Sequence, residues 1–261
     1  MTTTECPVAS IPSAEPAAAS SCPAGRESSR FIPYITLRKG EEGHVPKVVV
    51  RPDGLGVMFP DETAADRDRR GALWLRTGEV SPGRVIPRFA KVHPRRAGEV
   101  MLDMRCQGCN GEPDRTRDGF LFFTKPEKRR RNLNWPDVVY TCHPPICLPC
   151  VQQALLACPY VLDAPALRAR QARPWGVDGF YYRPDADGVP RLDESIEHCA
   201  YEDLKLLPWM VAIQPIVRLS RCTLVKDIRA ELAAAGLEVP AAEAKTSMGS
   251  VGPSASSRGE R

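Results

Sequence analysis

Two Cys-x-x-Cys pairs, CQGC at 106–109 and CLPC at 147–150, carry the strongest chemical signal in the chain. Thiolates are soft donors, and four of them about 2.3 Å from one ion make a closed tetrahedral site. Cys106, Cys109, Cys147 and Cys150 therefore stand as the metal ligands, with Zn2+ as the ion they suit best and iron as the alternative. A redox dithiol and unmetallated core cysteines are the competing readings of the same spacing. Directly after the second pair comes VQQALLA, which reads as a short helix closed by Pro159. A helix N-terminus at Cys150 favours the charged thiolate, the form that binds metal.

Cys142 and His143, in TCHPPIC, lie close enough to compete with Cys147, so three cysteines plus His143 form a second possible ligand set. Pro144 and Pro145 stiffen the link from His143 to Cys147, which ranks His143 beside the metal site or at the surface rather than in it. Cys158, about two helical turns beyond Cys150, is expected as a small buried apolar residue. Cys6, Cys22, Cys199 and Cys222 lack partner spacing and read as structural or incidental. A second chemical feature is the segment KPEKRRRNLNWP, which gathers Lys125, Lys128, Arg129, Arg130 and Arg131 beside Trp135. Cations next to an aromatic ring suit phosphate contact and base stacking, although such a charge run is also what a solvated loop looks like.

These groups need elements to position them. Residues 110–146 separate the two pairs. Within them FLFF (120–123) and VVYT (138–141) read as a β-hairpin around the basic loop. Knuckle, hairpin, then a second ligand pair opening a helix is the order of a treble clef. The expected fold is α+β, with a zinc-bound treble-clef-like module over 105–159 and a β-rich part over 30–104. A hairpin and helical part over 160–239 follows, and the segments 1–29 and 240–261 are too poor in apolar anchors to order. In the N-terminal part IPYITL, KVVVRP and ALWLR read as short strands, and ETAADRDRR as a loop or short exposed helix. In the C-terminal part GFYYR and the DADG turn predict a hairpin. Residues 208–236 read as helical, with Met210, Ile213, Ile216, Val217 and Leu219 on the first piece and a kink at Pro215. Thr223 caps a second piece that buries Leu224, Ile228 and Leu232 and stops at Gly236.

Several function classes are disfavoured. With 36 Lys plus Arg against 32 Asp plus Glu, the net charge offers no global argument for a nucleic-acid partner, so any such argument is local. The first residues show no basic and apolar leader, and no run approaches membrane-spanning length, which predicts a cytoplasmic protein without a membrane partner. In a reducing compartment paired knuckles bind metal more readily than they form disulfides. No P-loop, dinucleotide glycine fingerprint, Gly-x-Ser-x-Gly elbow or His-Glu-x-x-His helix occurs. Treble clefs also carry His-metal-finger nucleases, which need a His base on the hairpin and His or Asn ligands on the helix. VVYT offers no base before Cys142 and His143, and VQQALLA offers only Gln152 and Gln153. The expected function is that of a zinc-binding, non-enzymatic interaction protein meeting nucleic acid or another protein. A nuclease or other hydrolase on the treble clef is the alternative.

The segments RPDGLGVMFPDETAADRDRRGALWLR, RCQGCNGEPDRTRDGFLFF, CHPPICLPC, WGVDGFYYRPDADGVP and RCTLV together resemble a family of uncharacterised actinobacterial proteins. That family is common in Streptomyces-type genomes and their phages. The resemblance spans about residues 50–226 and implies a bacterial cytoplasmic setting without implying an activity. Against the family pattern the KPEKRRRNLNWP loop is more basic, and Pro215 interrupts an otherwise plain helix.

Overall fold

The computed structural model describes residues 31–43, 47–78, 85–124, 134–158, 161 and 164–237, which adopt an α+β arrangement. The first part contributes strands β1 (Thr36–Arg38), β2 (Val49–Val50), β3 (Val57–Met58), β4 (Leu73–Trp74) and β5 (Pro87–Val92), then helix α1 (Pro94–Leu102). The cysteine-bearing part contributes β6 (Arg115–Thr116), β7 (Gly119–Phe123), β8 (Val138–Thr141) and α2 (Leu148–Ala157). The last part contributes β9 (Ala166–Pro184), β10 (Pro190–Leu192), β11 (His198–Ala200), β12 (Met210–Leu224) and α3 (Ile228–Ala234).

Two long antiparallel strands, the 19-residue β9 and the 15-residue β12, form the spine of the main sheet. Along the far edge of β9 lie β7, β11 and β10, each antiparallel to it. Along the far edge of β12 lie β4, which is parallel, and β8, which is antiparallel. Pairs β1–β5 and β2–β3 are separate ribbons. Because side chains alternate across a sheet, both of its faces bury a core. Leu121, Phe123 and Ala166 face α2 and α3 with Cys106, Cys150, Val151, Leu155 and Leu232. Phe122, Leu167 and Ala169 face the other way, packing with Met101 of α1, Val139, Val217 and Leu219.

This arrangement corrects the helical reading of residues 208–223. Met210, Ile213, Ile216, Val217 and Leu219 belong to β12, whose ladder with β9 slips between Ala212 and Gln214 and again between Ile216 and Val217. The first bulge adds Ile213 to β12 and the second adds Trp175 to β9, so the alternation of β12 shifts once, at Ile213, and its apolar positions depart from a plain period of two. Pro215 kinks nothing. It falls where β12 has passed β4, paired at Val211 and Ala212, and has not reached β8, which begins at Val217. A missing N–H is tolerated in a stretch with one open edge. Only the last piece is helical. Its cap is Asp227, whose side chain accepts from the Arg229 and Ala230 N–H groups, and not Thr223. Leu232 is buried on α3, whereas Leu224 ends the strand and is exposed.

FLFF and VVYT are both strands, yet they do not pair with each other. Phe120–Phe123 pairs with Ala166–Ala169 of β9, and Val138–Thr141 pairs with 217–220 of β12. The hairpin that follows the first knuckle is β6–β7, a tight turn through Arg117 and Asp118 into Gly119. Gly119 has φ +108, and a Cβ there would lie 2.0 Å from the Ala169 carbonyl oxygen, so β7 approaches β9 closely at this point. The GFYYR and DADG reading agrees with the structure, with Pro184 opposite Pro190. ETAADRDRR forms a 3-10 turn at Ala64–Asp66 whose Asp66 is buried. Arg76 meets the Asp66 carboxylate through Nε at 2.7 Å and holds its pKa well below the usual range. Helix α1, absent from the sequence reading, starts at Pro94 behind a His93 cap whose Nδ1 accepts from the Arg96 N–H.

Candidate metal centre

The knuckle 106–109 closes on itself. Asn110 N–H donates to the Cys106 carbonyl at 2.8 Å, Cys106 N–H donates to the Gly111 carbonyl at 2.8 Å, and Asn110 sits at φ +60. Amides are thereby turned toward sulfur. Gly108 N–H points at Cys106 Sγ (3.3 Å), Gly111 N–H at Cys109 Sγ (3.4 Å) and Cys147 N–H at Cys106 Sγ (3.3 Å). The two prolines before the second pair serve as acceptors, since Gln107 N–H binds the Pro145 carbonyl (2.9 Å) and its side-chain amide binds that of Pro144 (2.9 Å). Tyr34 N–H reaches the Gly108 carbonyl at 2.8 Å, which ties the N-terminal segment to the same turn.

This latch brings the four sulfur atoms of Cys106, Cys109, Cys147 and Cys150 within 4.8 Å of one another. Cys106 and Cys147 are 3.5 Å apart and Cys109 and Cys147 3.8 Å. A tetrahedron with metal–sulfur bonds of about 2.3 Å has edges of about 3.8 Å, so the donor set fits a four-thiolate ion. Cys106 and Cys150 are buried in the core, while Cys109 is exposed.

Electrostatics point the same way. The Cys106 thiol is held down to about 4, chiefly by a hydrogen bond from Cys150 and then by the surrounding amides, against the desolvation of its site. Cys147 is pushed up to about 11 by burial and by the Cys106 charge. Cys150 is raised further, by its hydrogen bond to Cys106 and by burial. One thiolate is stable here, and its neighbours cannot follow it without a cation among them. A bound divalent ion would supply that charge.

No protein-family model, curated protein or solved structure matches the chain. The four-thiol group does not include Cys142 or His143, which are half-buried, with His143 N–H donating to Thr141 Oγ1 at 3.0 Å. Cys158 caps the C-terminus of α2 and is half-buried, less covered than the buried small apolar residue expected. Cys199 and Cys222 are buried, and burial pushes both thiols up to about 12. Cys6, Cys22 and the cations Lys125, Lys128, Arg129, Arg130 and Arg131 lie outside the described residues. Trp135 lies within them, half-buried against the core of Met101 and Phe122.

Sequence reasoning missed the ion network beside the centre. Buried Arg168 of β9 reaches the Asp114 carboxylate, just past the knuckle, at 2.6 Å and that of Glu231 on α3. It also donates to the Gly119 carbonyl at 3.4 Å. Its only sequence signal is that Arg168 shares the face of Ala166 by strand alternation, which becomes readable once β9 is known to be a strand. Gly108 was missed as well. A Cβ there would sit 2.6 Å from Cys150 Sγ, so glycine is what allows the second pair to close over the first.

Among the described residues no helix is long and apolar enough to cross a membrane.

Proposed function

We propose that the chain is a zinc-binding, non-enzymatic interaction protein whose metal holds a treble-clef-like module in shape. Cys106, Cys109, Cys147 and Cys150 are the ligands, and the knuckle, the β6–β7 hairpin and α2 supply the module's parts over residues 105–159. The observation that carries this reading is the set of four thiols within 4.8 Å with backbone amides directed at their sulfurs. Such a set binds metal as a closed structural site, with no open position for substrate. Its sulfurs join the knuckle to α2 inside one apolar core, so metal-binding free energy is also folding free energy for this region. The resemblance to the actinobacterial family supports a bacterial cytoplasmic setting. The partner is nucleic acid or another protein, and the run of Lys125, Lys128, Arg129, Arg130 and Arg131 beside Trp135 in the sequence supports the nucleic-acid reading.

Metal analysis of purified protein tests the first claim, and about one zinc per chain is expected. Cys109→Ser lowers both the zinc content and the melting temperature. Fully folded protein without metal, or an intact disulfide within either knuckle under reducing conditions, overturns the metal reading. Robust metal-dependent cleavage of plasmid or single-stranded DNA, abolished by His143→Ala, overturns the non-enzymatic one.

A further inference from the structure

One face of the main sheet carries exposed and half-buried side chains where β8, β12 and β9 lie side by side. Tyr140 pairs with Arg218, and Arg218 pairs with Arg173, so these three side chains form one row across three strands. Their neighbours Val139, Leu219 and Ala172 pack into the core beneath α1, which turns the row to the opposite face. Arg173 and Arg218 are exposed there. In the next row Ser220 pairs with Gln171, and the two side chains are hydrogen-bonded at 3.2 Å. Trp175, at the bulge opposite Ile216 and Val217, packs edge-to-face on Tyr140 with ring centroids 5.0 Å apart.

Two features of this face are costly for a surface with only a structural role. Like charges directly opposite on adjacent strands repel, and among the described residues neither Arg173 nor Arg218 has a carboxylate partner. Most other arginines nearby do have one, as Arg170 has Asp118 and Arg183 has Asp193. Beside the unpaired cations stand two half-buried aromatic rings. An anion relieves the repulsion, and a flat ring stacked on Tyr140 or Trp175 covers the aromatics. A single-stranded nucleic acid presents both at once, a phosphate and an unstacked base in each repeat, and an open sheet face suits it where a duplex groove does not.

We infer that the face of Tyr140, Trp175, Arg173 and Arg218 binds single-stranded nucleic acid, the arginines meeting phosphates and the rings stacking on bases. Gln171 and Ser220 offer hydrogen bonds to a base edge at one end of the platform. This inference rests on the nucleic-acid part of the function proposed above, but it places the contact on different residues from the basic segment.

Fluorescence anisotropy with a labelled oligothymidylate of about 20 nucleotides tests it, since such platforms cover roughly 4–16 nucleotides. Binding is expected to exceed that to a duplex of the same length. Arg173→Gln with Arg218→Gln weakens it about tenfold or more and lowers the salt slope by about 1.4, from about 0.7 for each lost phosphate contact on a single strand. Tyr140→Ala costs about tenfold, whereas Trp175→Phe, which keeps a ring, retains binding. Unchanged affinity in the double arginine variant, with binding lost on neutralising Arg129, Arg130 and Arg131, assigns the contact to the basic segment and removes the sheet face. No binding by the unaltered protein at low salt removes both nucleic-acid readings. Equal binding of duplex, or of heparin, reduces the face to plain charge and overturns the inference.

Discussion

Gly108→Ala adds one methyl group and tests how rigidly the metal centre is held. Its Cβ would lie 2.6 Å from Cys150 Sγ, 2.7 Å from Cys150 Cβ and 3.0 Å from Phe31 Cζ. Ordinary carbon contacts need about 3.5–4.0 Å, so Cys150 or the knuckle must retreat by on the order of 1 Å. Neither has room. Cys150 is 5% exposed among Leu121, Val151 and Leu155, and the knuckle is pinned by Gln107 to the Pro144 and Pro145 carbonyls. Metal–sulfur distances tolerate only about 0.2 Å. Overpacking should cost about 1–3 kcal/mol of stability, and the displaced ligand should weaken zinc binding about 10–100-fold, as disturbing the support of a metal site does. Competition with a chromophoric chelator measures the affinity, and melting with and without chelator measures how much stability the metal supplies. In the variant that second difference should shrink. Gly98→Ala is the control, because its Cβ meets Trp74 at an ordinary 3.7 Å within α1. It should stabilise by about 0.5–1 kcal/mol. Wild-type zinc affinity and melting temperature in Gly108→Ala would refute the account of a packed, preformed centre.

Replacing Arg168 by Leu leaves Asp114 and Glu231 without their shared cation. Because those carboxylates are 21% and 34% exposed, the expected loss is about 2–3 kcal/mol, below that of a fully buried pair; denaturant unfolding reads it. Zinc binding should release protons, since Cys147 and Cys150 are protonated at neutral pH. Calorimetry in buffers of different ionisation enthalpy should show at least those two protons leaving, and no buffer dependence would contradict the thiol environment described. His198 faces Asp178 at 3.3 Å, which raises its pKa. The stability it contributes is therefore complete below about pH 6.5 and lost as pH rises through the folded value, so the melting gap between wild type and His198→Asn should close on the alkaline side. His93 runs the other way. Burial and Arg96 lower its pKa, so its contribution is present above about pH 6.5 and fades on acidification, a loss that His93→Asn should remove.

The two cysteine pairs of the candidate metal centre were legible in the sequence because the determinants of each pair are local. Two residues between paired cysteines set a knuckle, and a helix-forming run after Cys147 sets the approach of the second pair, whatever the rest of the chain does. The β9–β10 hairpin was legible for the same reason, as DADG fixes its own turn. The partners of FLFF and VVYT were not, because each pairs with a strand more than forty residues further along, and no local pattern encodes that choice. Strand β12 was misread as helix because a bulge at Ile213 shifts its alternation, and a bulge is defined only by the partner strand against which the extra residue is counted. Arg168 and the aromatic and arginine face follow from that pairing. Composition names such residues without locating them, and only the register of β8, β12 and β9 sets Tyr140, Arg218 and Arg173 in one row, since cross-strand neighbours are chosen by long-range hydrogen bonding and burial rather than by sequence separation.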